Sequence, residues 1–530
     1  MTTTLITGAD LAGAGRGDLL VEDGVIRAAG SVDRPAGATV VDADGLVALP
    51  GLVDLHTHLR EPGREDAETI RTGSAAAAVG GYTAVLAMAN TEPVTDTAEA
   101  AERIYDLGRR VGLVDVQPVG AVSKGLAGAE LAELGLMARS RARVRVFSDD
   151  GRCVQDARLM RRALDYVKAF GGVISQHSQD SQLADANACC HEGELSGRLG
   201  LPSWPGVAEE VVVARDVMLA RHTGARVHVA HVSTAGSVEI LRWARAQGIP
   251  VTAEVTPHHL MLTTDLLAGY DPVYKVNPPL RPDEDVQVLR EALADGTIDV
   301  VATDHAPHAR NDKEHAFVTA AFGMLGLETA LAVVSEVMVR PGLIGWSDVA
   351  RVMSTTPATI AGLEDQGRPL AVGSPPTSRS STRTPRSPST ARARSRCPAT
   401  TPGTVARSPV PCRSPCCAAG SRRATASSST DADSLRPERT LAREPTRLPS
   451  TSRARPRGRP HLHRAVLRRR GGDRGRGGLQ HGHDGLPGDA DRPVLPPSGR
   501  RDDGAAHRQH GVQRRGRRVL AHLGRRLRRA

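Results

Sequence analysis

The sequence predicts an α/β chain: a TIM-like (β/α)8 barrel over residues 51–370, a small and incomplete N-terminal β-domain over residues 1–50, and a low-complexity, Arg-rich tail over residues 371–530. Three observations point there. Eight short apolar runs alternate with stretches of helical spacing, several of those runs end in a side chain able to bind a metal, and the composition breaks near residue 370.

The elements follow in order. Leu19 to Val41 alternates through Gly24 and Gly30 in the manner of hairpins, which predicts the small β-domain. The apolar runs are Gly51-Leu-Val-Asp-Leu-His56, Thr83-Ala-Val-Leu-Ala-Met88, Val114-Asp-Val-Gln-Pro-Val119, Arg143-Val-Arg-Val-Phe147, Gly172-Val-Ile-Ser-Gln-His177, Arg226-Val-His-Val-Ala-His231, Pro250-Val-Thr-Ala-Glu-Val255 and Ile298-Asp-Val-Val-Ala-Thr-Asp304. Segments between them, such as Ala98 to Val111, Ala157 to Phe170, Ala208 to Arg221 and Thr234 to Gln247, are long enough for crossover helices. Strands joined in that way are parallel, and eight of them predict a closed barrel.

Charge divides the chain. Residues 1–370 carry a net −16 and the tail +26, within a formal +10 for the whole. Acidity in the first part argues against non-specific attraction to nucleic acid or an anionic membrane. No stretch approaches the roughly 20 uninterrupted apolar residues of a membrane span, and Met1 to Asp18 has neither a basic leader nor an apolar run, so a cytoplasmic protein is expected. Cys153, Cys189 and Cys190 fit buried or free thiols better than secreted disulfides. The tail contains no Lys, Phe, Tyr, Trp, Ile, Met or Asn. Low hydrophobicity with charge of one sign predicts disorder, and without an aromatic on which a base could stack, the Arg clusters predict no specific nucleic-acid binding. Cys412, Cys416, Cys417, His461 and His463 match no ordinary zinc spacing. The missing residues are mostly those with AT-rich codons, so GC-rich coding DNA read out of frame is the preferred explanation of the tail.

Barrel enzymes place their active site at the C-terminal ends of their strands. The first run leads into His56-Thr-His58, where period-two geometry puts both imidazoles on one face, able to grip one cation. The fourth leads into Asp149-Asp150-Gly151, the fifth ends at His177, the sixth at His231 and the eighth at Asp304. Each of these alone reads as a core histidine, a helix cap or a turn. Together they place four His and two Asp on one rim.

On these residues the sequence resembles the amidohydrolase superfamily and, within it, the type I bacterial dihydroorotases. The matching stretches are Asp54-Leu-His-Thr-His-Leu-Arg-Glu-Pro-Gly63, Met88-Ala-Asn-Thr91, Ser148-Asp-Asp-Gly151, Glu254-Val-Thr-Pro-His-His-Leu260, Tyr274-Lys-Val-Asn-Pro-Pro-Leu-Arg281, Ala302-Thr-Asp-His-Ala-Pro-His308 and Phe322-Gly-Met-Leu-Gly-Leu-Glu-Thr329. The resemblance covers residues 1 to about 370.

It implies a zinc-dependent, reversible cyclisation of N-carbamoyl-L-aspartate to dihydroorotate in pyrimidine biosynthesis. His56, His58 and Asp304 would hold one zinc, His177 and His231 a second, with Asp150 and a hydroxide bridging the pair. Asp304 would also be the catalytic group that carries the proton to the departing ring nitrogen. Arg60, Asn90 and His308 would meet the substrate carboxylate, and Asn277 with the Phe322-Gly323 backbone would meet the ring. His258 and His259 receive no role beyond packing or supporting a ligand. Hydantoinases and dihydropyrimidinases bridge their metals with a carboxylated Lys. None of Lys124, Lys168, Lys275 or Lys313 ends the fourth run, which argues against that reading.

Three departures accompany the resemblance. Gln176-His177-Ser-Gln-Asp180 stands where relatives commonly have Ala before the His and Cys-Glu after it, and Met88-Ala89-Asn90 has Ala where many have Pro. Relatives also continue past Leu370 with strands that return to the small β-domain, so here that domain is expected to lack its C-terminal half and to leave strand edges bare. The rival readings are an allantoinase or other cyclic-amide hydrolase, and a catalytically impaired scaffold that partners aspartate carbamoyltransferase. A homo-oligomer is compatible with each.

Overall fold

The computed structural model describes residues 2–374 together with the backbone of Thr404–Arg407. At the N-terminus, β1 (Thr3–Leu11) pairs antiparallel with β2 (Arg16–Glu22), and β2 with β3 (Val25–Gly30). The β2–β3 turn is Asp23-Gly24 with φ of 45° and 77°, the backbone that a two-residue type I′ hairpin demands and Asp-Gly supplies at low cost. A second hairpin at Gly30 does not form. Its φ of 112° takes the chain out of the strand, and β4 (Thr39–Asp42) then returns parallel to β1, as does β5 (Leu46–Leu49). Ile6, Ala9, Leu19, Val21, Ile26, Ala43 and Ala48 form this sheet's own buried cluster.

From β6 (Leu52–Thr57) onward, strands alternate with helices: α1 (Ile70–Gly80), β7 (Tyr82–Ala87), α2 (Ala98–Val111), β8 (Asp115–Pro118), α3 (Leu134–Arg139), β9 (Val146–Phe147), α4 (Ala157–Lys168) and β10 (Val173–Gln176). A short excursion, β11 (Cys190–His191), α5 (Glu194–Leu199) and β12 (Ser203–Trp204), precedes α6 (Val207–Thr223) and β13 (Val227–Val229). The series ends with α7 (Ala235–Ala246), β14 (Val251–Val255), α8 (Asp283–Ala294) and β15 (Val300–Val301). Every pairing among β6, β7 and β8, and among β9, β10, β13, β14 and β15, is parallel. Isolated parallel bridges at Gly120↔Phe147 and Thr57↔His305 link the two sheets. Each of the eight apolar runs thus contains a strand, and the four segments expected as crossovers are helices α2, α4, α6 and α7.

Local chemistry explains the boundaries. Thr97, Asp156 and Thr234 each accept a backbone N–H at the start of α2, α4 and α7. Helix α2 also carries Glu99 in its first turn and Arg109 and Arg110 in its last, favourable at either end of the helix dipole. Parallel strands are covered on both faces, so β6 and β10 are buried at every position. Among the described residues no helix is long and apolar enough to cross a membrane.

One strand lies within the segment expected to be without structure. Thr404–Arg407 forms β16, antiparallel to β5, with Thr404 opposite Leu49. The β-branched Thr404 and Val405 suit a strand, and this edge of the small sheet is therefore paired where a bare edge was expected. The remainder of residues 375–530, with its expected disorder and its Cys and His, lies outside the described residues.

Candidate metal centre

The strand ends converge. His56 Nε2 lies 3.2 Å from Asp150 Oδ1 and His58 Nε2 3.4 Å from Asp150 Oδ2. His177 Nδ1 and His231 Nε2 are each 3.5 Å from Asp150 Oδ1 and 3.0 Å from each other. Asp304 Oδ1 lies 3.1 Å from His58 Nε2 and 3.7 Å from His56 Nε2. All six side chains are buried, and one carboxylate, Asp150, faces four imidazoles.

Two groups of three could each hold a cation, His56 with His58 and Asp150, and Asp150 with His177 and His231. Their spacing fits. Ligands about 2.0–2.1 Å from a tetrahedral ion lie about 3.3–3.4 Å apart, close to the N···O separations around Asp150. Among the described residues, His56 Nε2 and Asp150 Oδ1 are buried without a hydrogen-bond partner, a costly arrangement for polar atoms unless something else satisfies them.

Neighbouring groups aim these ligands. Asp149 accepts the Val122 and Ser123 N–H groups at 2.8 and 3.0 Å, which anchors the turn that directs Asp150 inward. Glu254 Oε1 lies 2.8 Å from His56 Nδ1, and its other oxygen 3.0 Å from His228 Nε2. Asn90 Oδ1 is 3.0 Å from His58 Nδ1, and Gln179 Oε1 3.0 Å from His177 Nε2. A partner on the outer ring nitrogen fixes which nitrogen is left to bind a metal. Asp54 accepts from His56 N and Thr303 N, joining β6 to the segment that follows β15. Arg60, His231 and Asp304 adopt φ of 60°, 33° and 45°, left-handed backbone that costs a non-glycine residue about 1–3 kcal/mol and tends to cluster at working sites.

The carboxylates that face imidazoles are all held low. Burial alone would raise the Asp150 pKa, but His56, His177 and His231 outweigh it and hold the carboxyl well below its ordinary range. Asp304 is likewise held low against burial by His58, His56 and His231, and Glu254 by His56 and His228. His56 is correspondingly raised by Asp150 and Glu254 against its own desolvation. Burial pushes the Asp54 carboxyl up to about 7.

The residues expected to meet substrate fall into two groups. Asn90 and Asn277 reach the cluster, the latter with Nδ2 3.4 Å from His177 Nε2. Arg60, His308, Phe322 and Gly323 form the other. Arg60 Nε donates to Pro307 O at 3.0 Å, and its η nitrogen lies 3.3 Å from His308 Nε2. Burial lowers the Arg60 pKa, opposed by Asp304 and Asp150. Burial, aided by Arg60, lowers His308 to about 4, and its Nε2 is 2.6 Å from Phe322 O. Gly323 has φ 138°, and a Cβ there would sit 2.5 Å from Ala306 O. His259 is tied to Thr256 Oγ1 at 2.8 Å and acts in packing, whereas His258 is buried with Nε2 unpartnered among the described residues.

The sequence reading gave Glu254 and Gln179 no role. For Glu254 a signal existed: a carboxylate inside a buried apolar strand requires a charged or hydrogen-bonding partner. Each Lys is engaged elsewhere, Lys124 with Glu130, Lys168 with Thr223 O, Lys275 with Val318 O and Lys313 with Ala321 O.

The family model described as Dihydro-orotase-like matches residues 45–237. A dihydroorotase of Leifsonia xyli subsp. xyli is 62% identical over 373 residues, covering 70% of this chain and 85% of that protein. The chain belongs to the dihydroorotase family. A dihydroorotase of Streptomyces coelicolor is 60% identical over 375 residues, 71% of this chain and 87% of that protein. The fold also resembles an L-hydantoinase (dihydropyrimidinase) of Arthrobacter aurescens, with a TM-score of 0.62 at 27% identity, covering 71% of this chain and 86% of that one. Hydantoinase-like architecture around a dihydroorotase sequence agrees with an enzyme of α/β class that hydrolyses cyclic amides.

Proposed function

We propose that this chain is a dihydroorotase, catalysing the reversible cyclisation of N-carbamoyl-L-aspartate to (S)-dihydroorotate within a (β/α)8 barrel. The two parallel sheets and the bridges that join them support the barrel. Zinc is the proposed metal, two ions per chain: His56, His58 and Asp304 hold one, His177 and His231 the other, and Asp150 serves both. Bound there, two divalent cations supply an acidified water and a polarised carbonyl.

The side chains supply the rest. Asp304, kept ionised at neutral pH by three imidazoles, accepts the proton of the attacking water and delivers it to the ring nitrogen as the amide opens; ring closure runs the same transfers in reverse. Arg60 stays charged even where burial lowers its pKa, which suits it to a paired grip on the substrate carboxylate beside Asn90 and His308. Asn277 and the Phe322-Gly323 backbone orient the ring, and Gly323 allows the close approach.

The placement of Asp150 among four imidazoles, in a chain 62% identical to a dihydroorotase, carries this reading. The test is to purify the full chain, assay dihydroorotate and allantoin, and count bound zinc. Turnover of dihydroorotate with zinc bound is expected. Turnover of allantoin alone would refute it, and absence of both zinc and turnover would favour the scaffold.

A further inference from the structure

The two halves of the cluster share Asp150 but are backed differently. Behind His56 stands a carboxylate, Glu254, at 2.8 Å, and behind His58 the Asn90 carbonyl at 3.0 Å. Asp304 adds a second carboxylate on the same side, 3.1 Å from His58. Across Asp150 the supports are weaker. The outer nitrogen of His177 meets two neutral amides, Gln179 Oε1 at 3.0 Å and Asn277 Nδ2 at 3.4 Å, and the outer nitrogen of His231 is buried with no partner among the described residues.

A carboxylate on the outer N–H raises the basicity of the metal-facing nitrogen and fixes the ring, an amide does so less, and an unpaired N–H does neither. Charge acts in the same direction. A cation beside His56 and His58 faces Asp150 and Asp304 with Glu254 behind, whereas beside His177 and His231 the carboxylate within 3.5 Å is Asp150, and Asp304 acts on those imidazoles only as a longer-range charge.

We infer that the two metal positions load unequally, the His177–His231 position binding its cation at least about tenfold more weakly than the His56–His58–Asp304 position, and that Gln179 is a residue that sets this difference. The inference rests on the dimetal reading above. It makes the second position the exchangeable one, responsive to free zinc at concentrations where the first is already full.

The experiment uses the full chain, stripped with a chelator and titrated with zinc against a competing indicator, with metal counted by mass spectrometry at each plateau. Two resolved steps are expected. His231→Ala should abolish only the weaker step, and Gln179→Glu should tighten that step by about 10- to 100-fold while leaving the tighter one in place. Two steps of equal affinity in the unaltered chain would overturn the inference without recourse to any variant, as would loss of the tighter step in His231→Ala or an unchanged weaker step in Gln179→Glu. Failure to bind a second equivalent at any zinc concentration would instead remove the dimetal reading, and the inference with it.

Discussion

Glu254→Gln removes one charge from beneath the metal centre while preserving shape. The carboxylate accepts from two imidazoles, His56 at 2.8 Å and His228 at 3.0 Å, and also lies 3.3 Å from the His231 N–H. A Gln can accept through only one oxygen. With that oxygen on His56, its NH2 group faces His228 Nε2, which can become an acceptor there because the ring proton can sit on Nδ1 and be donated to the Thr252 hydroxyl oxygen 2.9 Å away. The pocket can therefore stay hydrogen-bonded, and the cost is mainly that of exchanging charge-assisted bonds of about 1.5–3 kcal/mol for neutral ones of about 0.5–1.5. Part of that is returned because a neutral side chain is cheaper to bury. A net loss of about 1.4–2.8 kcal/mol remains, or 10- to 100-fold in zinc affinity or in turnover. Zinc titration and kcat at saturating zinc, compared between the unaltered chain and the variant, measure it. Values within about twofold in both would show that the Glu254–His56 contact does not tune the centre.

Asp150→Ala should lose both metal and turnover, read by zinc content and a dihydroorotate assay, since that carboxylate faces both halves of the cluster; near-normal activity would contradict the bridging role proposed for it. Arg60→Met should raise KM with little change in kcat, because a carboxylate grip is felt equally in ground and transition states; a fall confined to kcat would assign Arg60 to the chemical step. Asp54 yields a pH prediction for the metal-free protein. Burial raises its pKa from 3.8 to about 7, so between those values the folded chain retains a proton that the unfolded chain has released. The corresponding stability is full below about pH 4 and lost as pH rises towards 7, by up to roughly 4 kcal/mol. Both hydrogen bonds go to Oδ1, and Oδ2 has no partner among the described residues. Asp54→Asn should accordingly be less sensitive over that range in denaturant unfolding, and an unchanged pH slope would show that Asp54 ionises freely.

Much of the fold was legible because buried parallel strands advertise themselves. Runs such as Gly51–His56 and Pro250–Val255 are short, apolar and bounded by helical segments, and strands β6 and β14 lie within a residue or two of those limits. The small sheet was less so. Whether the chain after Gly30 turns back as a hairpin or crosses to pair parallel with β1 is decided by distant partners, and alternation along Leu19 to Val41 is compatible with either. At the site, residues at strand ends were visible because the topology sends them to one rim. The groups behind them were less so: Gln179 was marked only by the departure from relatives after His177, and Glu254 only as a carboxylate inside an otherwise apolar strand.

Asp150 has one more implication, for how the centre is assembled. A carboxylated Lys becomes a bridging ligand only after its amine has captured dissolved carbon dioxide, so such a centre matures after folding and depends on the gas supply. Here the central anion is encoded in the gene and its geometry is set when β9 and its anchoring turn form. Metal alone is left to be delivered, and cells starved of bicarbonate should still yield a chain ready to receive it.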